Sequence, residues 1–294
     1  MKNTIFEGAG TAIITPLTEK GVDFESFGKL IDWQLDCGID AIVVAGTTGE
    51  GSTLTDEEHK EVISYCVKRV GNRVPVIAGT GSNDTAYAID LTAYACDAGV
   101  DGVLLVTPYY NKATQNGLIK SFAAIAEVAT KPCFLYNVPS RTGCSLLPKT
   151  IAALAEHPKI TALKEASGNI SQIVETAALC GDKIDIYSGN DDQVIPILSL
   201  GGKGVISVLS NIMPRETSLM CHKFFDGDIT GAAKMQFEYL PLINALFSEV
   251  NPIPVKAACA AMGFGENYLR LPLTPMEEDH AKVLYALMRE QNLI

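Results

Sequence analysis

The sequence predicts an α/β protein of the (β/α)8 class, a TIM barrel, with a small helical extension at its C-terminus. Three observations carry that expectation. Eight short apolar runs recur along the chain with helical patterns between them. They follow one another at roughly 20 to 33 residues, the length of one βα unit. They do not alternate apolar with polar, which marks strands covered on both faces, as in a parallel sheet.

The runs are residues 11–16 (TAIITP), 41–46 (AIVVAG), 74–80 (VPVIAGT), 102–108 (GVLLVTP), 133–139 (CFLYNVP), 160–167 (ITALKEAS), 185–190 (DIYSGN) and 204–210 (GVISVLS). Asp23 is expected to open a helix that turns Phe27, Leu30 and Ile31 inward and stops at Gly38. Thr55 to Glu58 reads as a capping box, and Gly71 ends that helix. Pro214, after Met213, suits a first helical turn. Beyond Ser210 the strand signal stops. Helical patterns cover 229–248 and 253–262, and Thr274 to Glu277 reads as a second capping box opening a last helix through Leu287. The expected division is a barrel with the active site over 1–225 and a helical extension over 226–294. A doubly wound open sheet would show a glycine-rich phosphate loop after its first strand, and Gly201 to Gly204 lacks the spacing of one.

The bulk composition narrows the function. The chain has 294 residues, 47% hydrophobic and 19% charged, enough for a large core. Its formal net charge of −11 argues against nucleic acid and anionic membrane surfaces as partners. An anionic substrate would need locally placed donors. No apolar run reaches the roughly 18 residues of a membrane span. The stretch Met1 to Glu7 lacks the apolar region of a signal peptide. The eight cysteines are scattered, without a C-x-x-C pair, as in reduced thiols of a cytoplasmic protein. The four histidines (His59, His157, His222, His280) have no metal spacing. No metal and no cofactor is expected.

Lys164 is the anomaly. It lies near the end of the sixth apolar run, and a core strand normally excludes an unpaired ammonium. The ordinary placement is an edge, or a side chain that snorkels to water. The alternative is a desolvated amine of lowered pKa that attacks a carbonyl to form an imine. In a βα barrel the active site lies at the C-terminal strand ends. Those ends carry Thr47 and Thr48, then Thr107 to Asn111, Tyr136 and Asn137, Ser140 to Gly143, Ser188 to Asp191, and Ser207. A phenol must shuttle protons, and Tyr136, one strand from Lys164, suits that role. Thr47 and Thr48, in a glycine-flanked turn, suit a keto-acid carboxylate. Arg141 suits a second carboxylate. Each has a plainer reading alone: a tight turn, a core tyrosine, a surface ion pair. Glu165 is a weak candidate base because it should face opposite Lys164.

The stretches 46–50 (GTTGE), 106–111 (VTPYYN), 135–143 (LYNVPSRTG), 163–168 (LKEASG), 188–191 (SGND) and 204–208 (GVISV) together resemble the dihydrodipicolinate synthase branch of the class I pyruvate-dependent aldolases, in the N-acetylneuraminate lyase superfamily. The resemblance implies that Lys164 is the Schiff-base lysine that binds pyruvate. It implies a proton relay of Tyr136, Thr47 and Tyr110, with Tyr110 reaching into a neighbouring subunit. Thr48 and the amide of Thr47 would clamp the pyruvate carboxylate. Arg141 would hold the carboxylate of L-aspartate 4-semialdehyde, and Gly189 and Ile206 would line the lysine's pocket. A homotetramer, a dimer of tight dimers with Tyr109 near the tight interface, is implied as well. The activity implied is condensation of pyruvate with the semialdehyde on the way to diaminopimelate and lysine.

Alternatives are a pyruvate-forming lyase of a sialic or sugar acid, which as a rule lacks the S-R-T-G segment of Arg141, and a non-catalytic ligand-binding barrel. A pyridoxal-phosphate barrel would need a phosphate-binding glycine loop. Lysine-inhibited members of the resembling family carry a histidine where Asp56 stands and a glutamate where Tyr87 stands, whereas His59, Asn83 and Tyr109 remain compatible with an effector site. Weak or absent inhibition by L-lysine is therefore expected.

Overall fold

The computed structural model describes residues 4–294. Met1 to Asn3, part of the stretch without an apolar leader, lie outside the described residues. The apolar runs form β1 (Gly8–Ala12), β2 (Ala41–Val44), β3 (Val76–Gly79), β4 (Gly102–Val106), β5 (Cys133–Asn137), β6 (Ile160–Glu165), β7 (Asp185–Ser188) and β8 (Gly204–Ser207). Each strand pairs in parallel with its sequence neighbours, and β1 closes the barrel between β2 and β8. The expected (β/α)8 architecture is therefore the observed one. A two-stranded antiparallel ladder, Leu17–Thr18 with Gly21–Val22, follows β1.

The first strand begins earlier than the run 11–16 indicates. Its GAGTA sequence hides it, because two of its residues have no side chain. A Cβ on Gly10 would stand 3.0 Å from the Phe6 ring. Phe6 closes the lower end of the barrel, stacked on Tyr187 at 4.5 Å, and its carbonyl accepts from the Tyr187 hydroxyl at 2.6 Å. Ile13 and Ile14 are buried but leave the strand.

The helices end where the chemistry dictates. In α1 (Phe24–Asp36) the Asp23 carboxylate accepts from Ser26 N–H. In α2 (Asp56–Val70) both halves of the capping box are present, and Gly71 takes a left-handed φ of +57°. Helices α3 (Thr85–Ala98), α4 (Gln115–Val128), α5 (Pro139–Thr142), α6 (Pro148–Leu154), α7 (Ile170–Cys180), α8 (Val194–Ser199) and α9 (Pro214–Phe225) continue the outer ring. Pro214 sits in the first turn of α9 as expected.

A helical region follows: α10 (Ile229–Leu246), α11 (Ile253–Ala261) and α12 (Glu278–Glu290). The second capping box does not form. Helix α12 starts after Glu277, with no side-chain cap. Glu249 does the work from outside the helix: it accepts from Glu277 N–H at 3.0 Å and pairs with His280 Nδ1 at 2.8 Å. A local four-residue pattern cannot anticipate an acceptor supplied from another segment.

Two apolar layers result. Phe134, Ala162 and Ile206 fill the barrel interior, and a larger cluster including Leu135, Leu163 and Val205 packs strands against helices. Between β1 and β8 the strands approach so closely that a Cβ on Gly204, whose φ is +150°, would fall 1.8 Å from the Gly8 carbonyl oxygen. Gly204→Ala is expected to destabilise the protein by more than about 3 kcal/mol, because backbone rather than a side-chain tip must move. Denaturant unfolding of the purified variant checks this.

Candidate active site

Strand β6 places Lys164 inside the barrel by an irregularity. Cys133 of β5 pairs with Ile160, but Phe134 pairs with Ala162, so Thr161 is bulged. The bulge reverses the facing of the residues beyond it. Ile160 belongs to the outer layer, whereas Ala162 belongs to the interior. Tyr136 then stands opposite Lys164, and Asn137 opposite Glu165. Glu165 faces outward as expected: it accepts from Asn137 Nδ2 at 3.2 and 3.1 Å and from Ser167 N–H at 2.7 Å.

Lys164 is 6% exposed. Its Nζ lies 4.4 Å from the centroid of the Tyr136 ring, a cation–π distance when the amine is protonated. Burial pulls its pKa down to about 7; the nearby Asp191 carboxylate raises it and the Arg141 guanidinium lowers it further. Tyr136 is also buried, which raises its phenol pKa, while Arg141 and a hydrogen bond with the Thr47 side chain oppose that shift. Gly189 closes the lysine's other side. Its N–H donates to the Glu165 carbonyl at 2.7 Å, and a Cβ there would stand 3.1 Å from Lys164 Cε and 2.8 Å from Ala166 Cβ. Ile206 is fully buried within the barrel interior.

The turn after β2 carries Thr47 and Thr48. Thr48 is buried, and its hydroxyl accepts from Asn251 Nδ2 at 2.9 Å. The Asn251 carbonyl in turn accepts from Arg141 Nη2 at 3.2 Å. Arg141 lies in the last turn of the short helix α5, which Thr142 pins by donating to the Cys144 carbonyl at 2.8 Å. Lys164, Tyr136, Thr47, Thr48, Arg141, Gly189 and Ile206 thus share the C-terminal end of the barrel. Tyr110 does not join them within one chain. It is 92% exposed with a left-handed φ of +70°.

Two cavities open among these residues. One of about 480 Å³ is lined by Thr47, Tyr136 and Arg141, and on its far side by His59, Tyr87 and Tyr109. A second, of about 310 Å³, is lined by Ser140, Ala166, Ser167 and Asp191 among others. The first includes Tyr136, whose ring faces the Lys164 amine, and the second includes Asp191, whose carboxylate acts on that amine. Among the described residues no group of three or more His, Cys, Asp or Glu is arranged to hold a metal ion.

Sequence reasoning assigned no role to three contributors. Asp191 is buried at the end of β7; its Oδ2 accepts from Val208 and Leu209 N–H, each at 2.9 Å, and its Oδ1 has no hydrogen-bond partner among the described residues. Its only signal was an acid at a strand end. Asn251 lies some 200 residues from Thr48 in sequence and gave no local sign beyond the proline that follows it. The third is a buried ion pair between Glu50 and Lys256.

A parallel barrel that desolvates one lysine at its catalytic rim, beside a phenol, threonine hydroxyls and an arginine, defines a Schiff-base-forming lyase. The chain belongs to the dihydrodipicolinate synthetase family, whose sequence profile matches residues 5–291. It is 57% identical over 292 residues to the 4-hydroxy-tetrahydrodipicolinate synthase of Lachnoclostridium phytofermentans, covering 99% of each chain. Among solved structures it resembles a crystallised dihydrodipicolinate synthase with a TM-score of 0.96 at 48% identity, covering 98% of this chain and 100% of the other. It likewise resembles the chloride-inhibited dihydrodipicolinate synthase of Acinetobacter baumannii, solved in complex with pyruvate, with a TM-score of 0.96 at 42% identity over 99% of this chain and 100% of that one.

The lowered lysine pKa has a consequence for stability. The unfolded chain protonates this lysine below its ordinary value of 10.5, the folded chain only below about 7. Folding therefore releases a proton between those values, and stability rises with pH across that window; the full cost applies below it. That cost is on the order of 5 kcal/mol for a shift of this size. Lys164→Met is expected to melt at a higher temperature than wild type at neutral pH, with the gap narrowing as the buffer is made alkaline. Calorimetry of both proteins across that range measures it.

Proposed function

We propose that the chain is a 4-hydroxy-tetrahydrodipicolinate synthase that condenses pyruvate with L-aspartate 4-semialdehyde through an imine on Lys164. The observation that carries the reading is the buried Lys164 amine, with a pKa near neutrality, against the Tyr136 phenol. The neutral amine attacks the pyruvate keto carbon, and the carbinolamine loses water to give the imine. Loss of a methyl proton then gives the enamine, whose carbon adds to the aldehyde of the second substrate. Each step needs a proton delivered or removed near the lysine nitrogen. Burial keeps the Tyr136 phenol protonated, so it can donate, and Thr47, hydrogen-bonded to it, extends the relay.

The Thr48 hydroxyl already accepts from Asn251, which leaves its own hydrogen to donate to the pyruvate carboxylate beside the Thr47 amide. Arg141 spends one Nη2 contact on the Asn251 carbonyl and keeps further donors for the semialdehyde carboxylate. Gly189 and Ile206 shape the pocket around the lysine. No cofactor takes part in this scheme.

Tyr110 completes the relay from a neighbouring subunit in this reading, within a homotetramer built as a dimer of tight dimers. An aromatic side chain held exposed at positive φ is costly alone, and a partner's site accounts for it. The net charge of −11 opposes nucleic acid and anionic membranes as partners. No helix among the described residues is long and apolar enough to cross a membrane. Eight free cysteines, seven of them buried, suit a reducing, cytoplasmic setting.

Borohydride added with pyruvate is expected to reduce an adduct onto Lys164; an adduct mapped elsewhere would sink the assignment. In a coupled condensation assay, Arg141→Ala is expected to raise the semialdehyde KM by roughly 10²-fold, the scale of a lost charged hydrogen bond, while trapping stays intact.

Inhibition by L-lysine is expected to be weak or absent. Asp56 is already engaged by Lys60 at 2.6 Å and by the Tyr87 hydroxyl, and Tyr87 supplies no carboxylate for an effector ammonium. Steady-state rates at rising L-lysine test this, and strong submillimolar inhibition would contradict it.

A further inference from the structure

Glu50 and Lys256 form an ion pair that the chemistry above leaves unused. Their side chains are 1% and 0% exposed. They join distant parts of the chain: Glu50 lies in the turn that carries Thr47 and Thr48, and Lys256 lies in α11 of the C-terminal region. The Arg270 N–H lies 3.4 Å from the other Glu50 oxygen, and the Arg270 guanidinium forks onto Glu58 with two bonds of 2.6 Å.

A buried pair of this kind is near break-even for stability against apolar residues of the same volume. The backbone of the turn offers a reason for it. Ala45 and Glu50 both hold φ at +54°, a region that non-glycine residues occupy only when their surroundings enforce it. The Glu50 N–H donates to the Thr47 carbonyl at 3.1 Å. The turn has no slack, since a Cβ on Gly51 would fall 2.4 Å from the Ala45 carbonyl oxygen. The Lys256 ammonium thus grips the Glu50 carboxylate, and the Glu50 backbone grips Thr47.

We propose that Glu50 and Lys256 are positioning residues, which lock the strained turn so that the Thr47 hydroxyl stays on the Tyr136 phenol and Thr48 stays on Asn251. Neither touches substrate; both act through the turn. The inference rests on the roles of Thr47 and Thr48 proposed above.

Two variants separate positioning from simple stabilisation. Glu50→Asp keeps both charges but shortens the reach by one methylene. The double variant Glu50→Gln with Lys256→Met removes both charges at similar volume. Each is tested by thermal unfolding, by borohydride trapping at saturating pyruvate, by pyruvate KM, and by exchange of pyruvate methyl hydrogens for solvent deuterium with pyruvate as sole substrate. The folded variants are expected to trap adduct on Lys164 in full yet exchange methyl hydrogens on the order of 10²-fold more slowly, with a raised pyruvate KM, since a displacement of about 1 Å costs that much. Folded variants with wild-type exchange and KM but a lower melting temperature would overturn the proposal. If the double variant does not fold, Glu50→Asp decides alone. Failure of the wild type to trap pyruvate on Lys164 would instead refute the imine reading, and this proposal with it.

Discussion

Removing the Lys164 amine from water is the constraint on which the rest of the site depends. A charged ammonium is costly in an apolar barrel, so the protein holds the amine where losing its proton is easy near neutrality. Its neighbours act in opposite directions. Asp191 favours the proton and Arg141 opposes it, and both also have structural duties: Asp191 accepts two backbone amides at the end of β8, and Arg141 bonds the Asn251 carbonyl. The residues that tune the amine are therefore the ones that shape its surroundings. The native state is less stable for it, as expected where activity needs a strained or desolvated group.

The barrel supplies the lysine, but the helical region finishes the rim. Asn251 bridges Thr48 and Arg141, and Lys256 and Arg270 converge on Glu50 and Glu58. Both proposed carboxylate-binding elements are thus held from the segment that follows the last barrel helix. A boundary near residue 225 separates two styles of secondary structure, yet the contacts across it make one functional unit.

Much of this was legible in the sequence, for reasons that also explain the gaps. Strands buried on both faces are continuous apolar runs, so the barrel could be read directly. The exception was β1, where Gly8 and Gly10 replace the apolar side chains that would mark it. Strong local caps such as Thr55 with Glu58 could be read, because their partners lie within one helical turn. The supposed cap at Thr274 failed because Glu249, remote in sequence, supplies the acceptor. The same distinction runs through the site. Lys164, Tyr136, Thr47, Thr48 and Arg141 announce themselves as polar groups at strand ends. Asn251 and Lys256 meet the site only through tertiary folding, and Tyr110 stands exposed instead of packing into it.

The bulge at Thr161 gives the barrel a phase. Counted by strict alternation from Ile160, every second residue would face the helices, and the lysine would emerge there while its acidic neighbour Glu165 turned to the interior. One unpaired residue, early in a six-residue strand, exchanges their fates. The polarity of the reaction chamber is thereby decided some way below it: a cationic rather than an anionic lining follows from how the strand is counted in, not from any group at the rim. A single deletion in this strand would invert its chemistry.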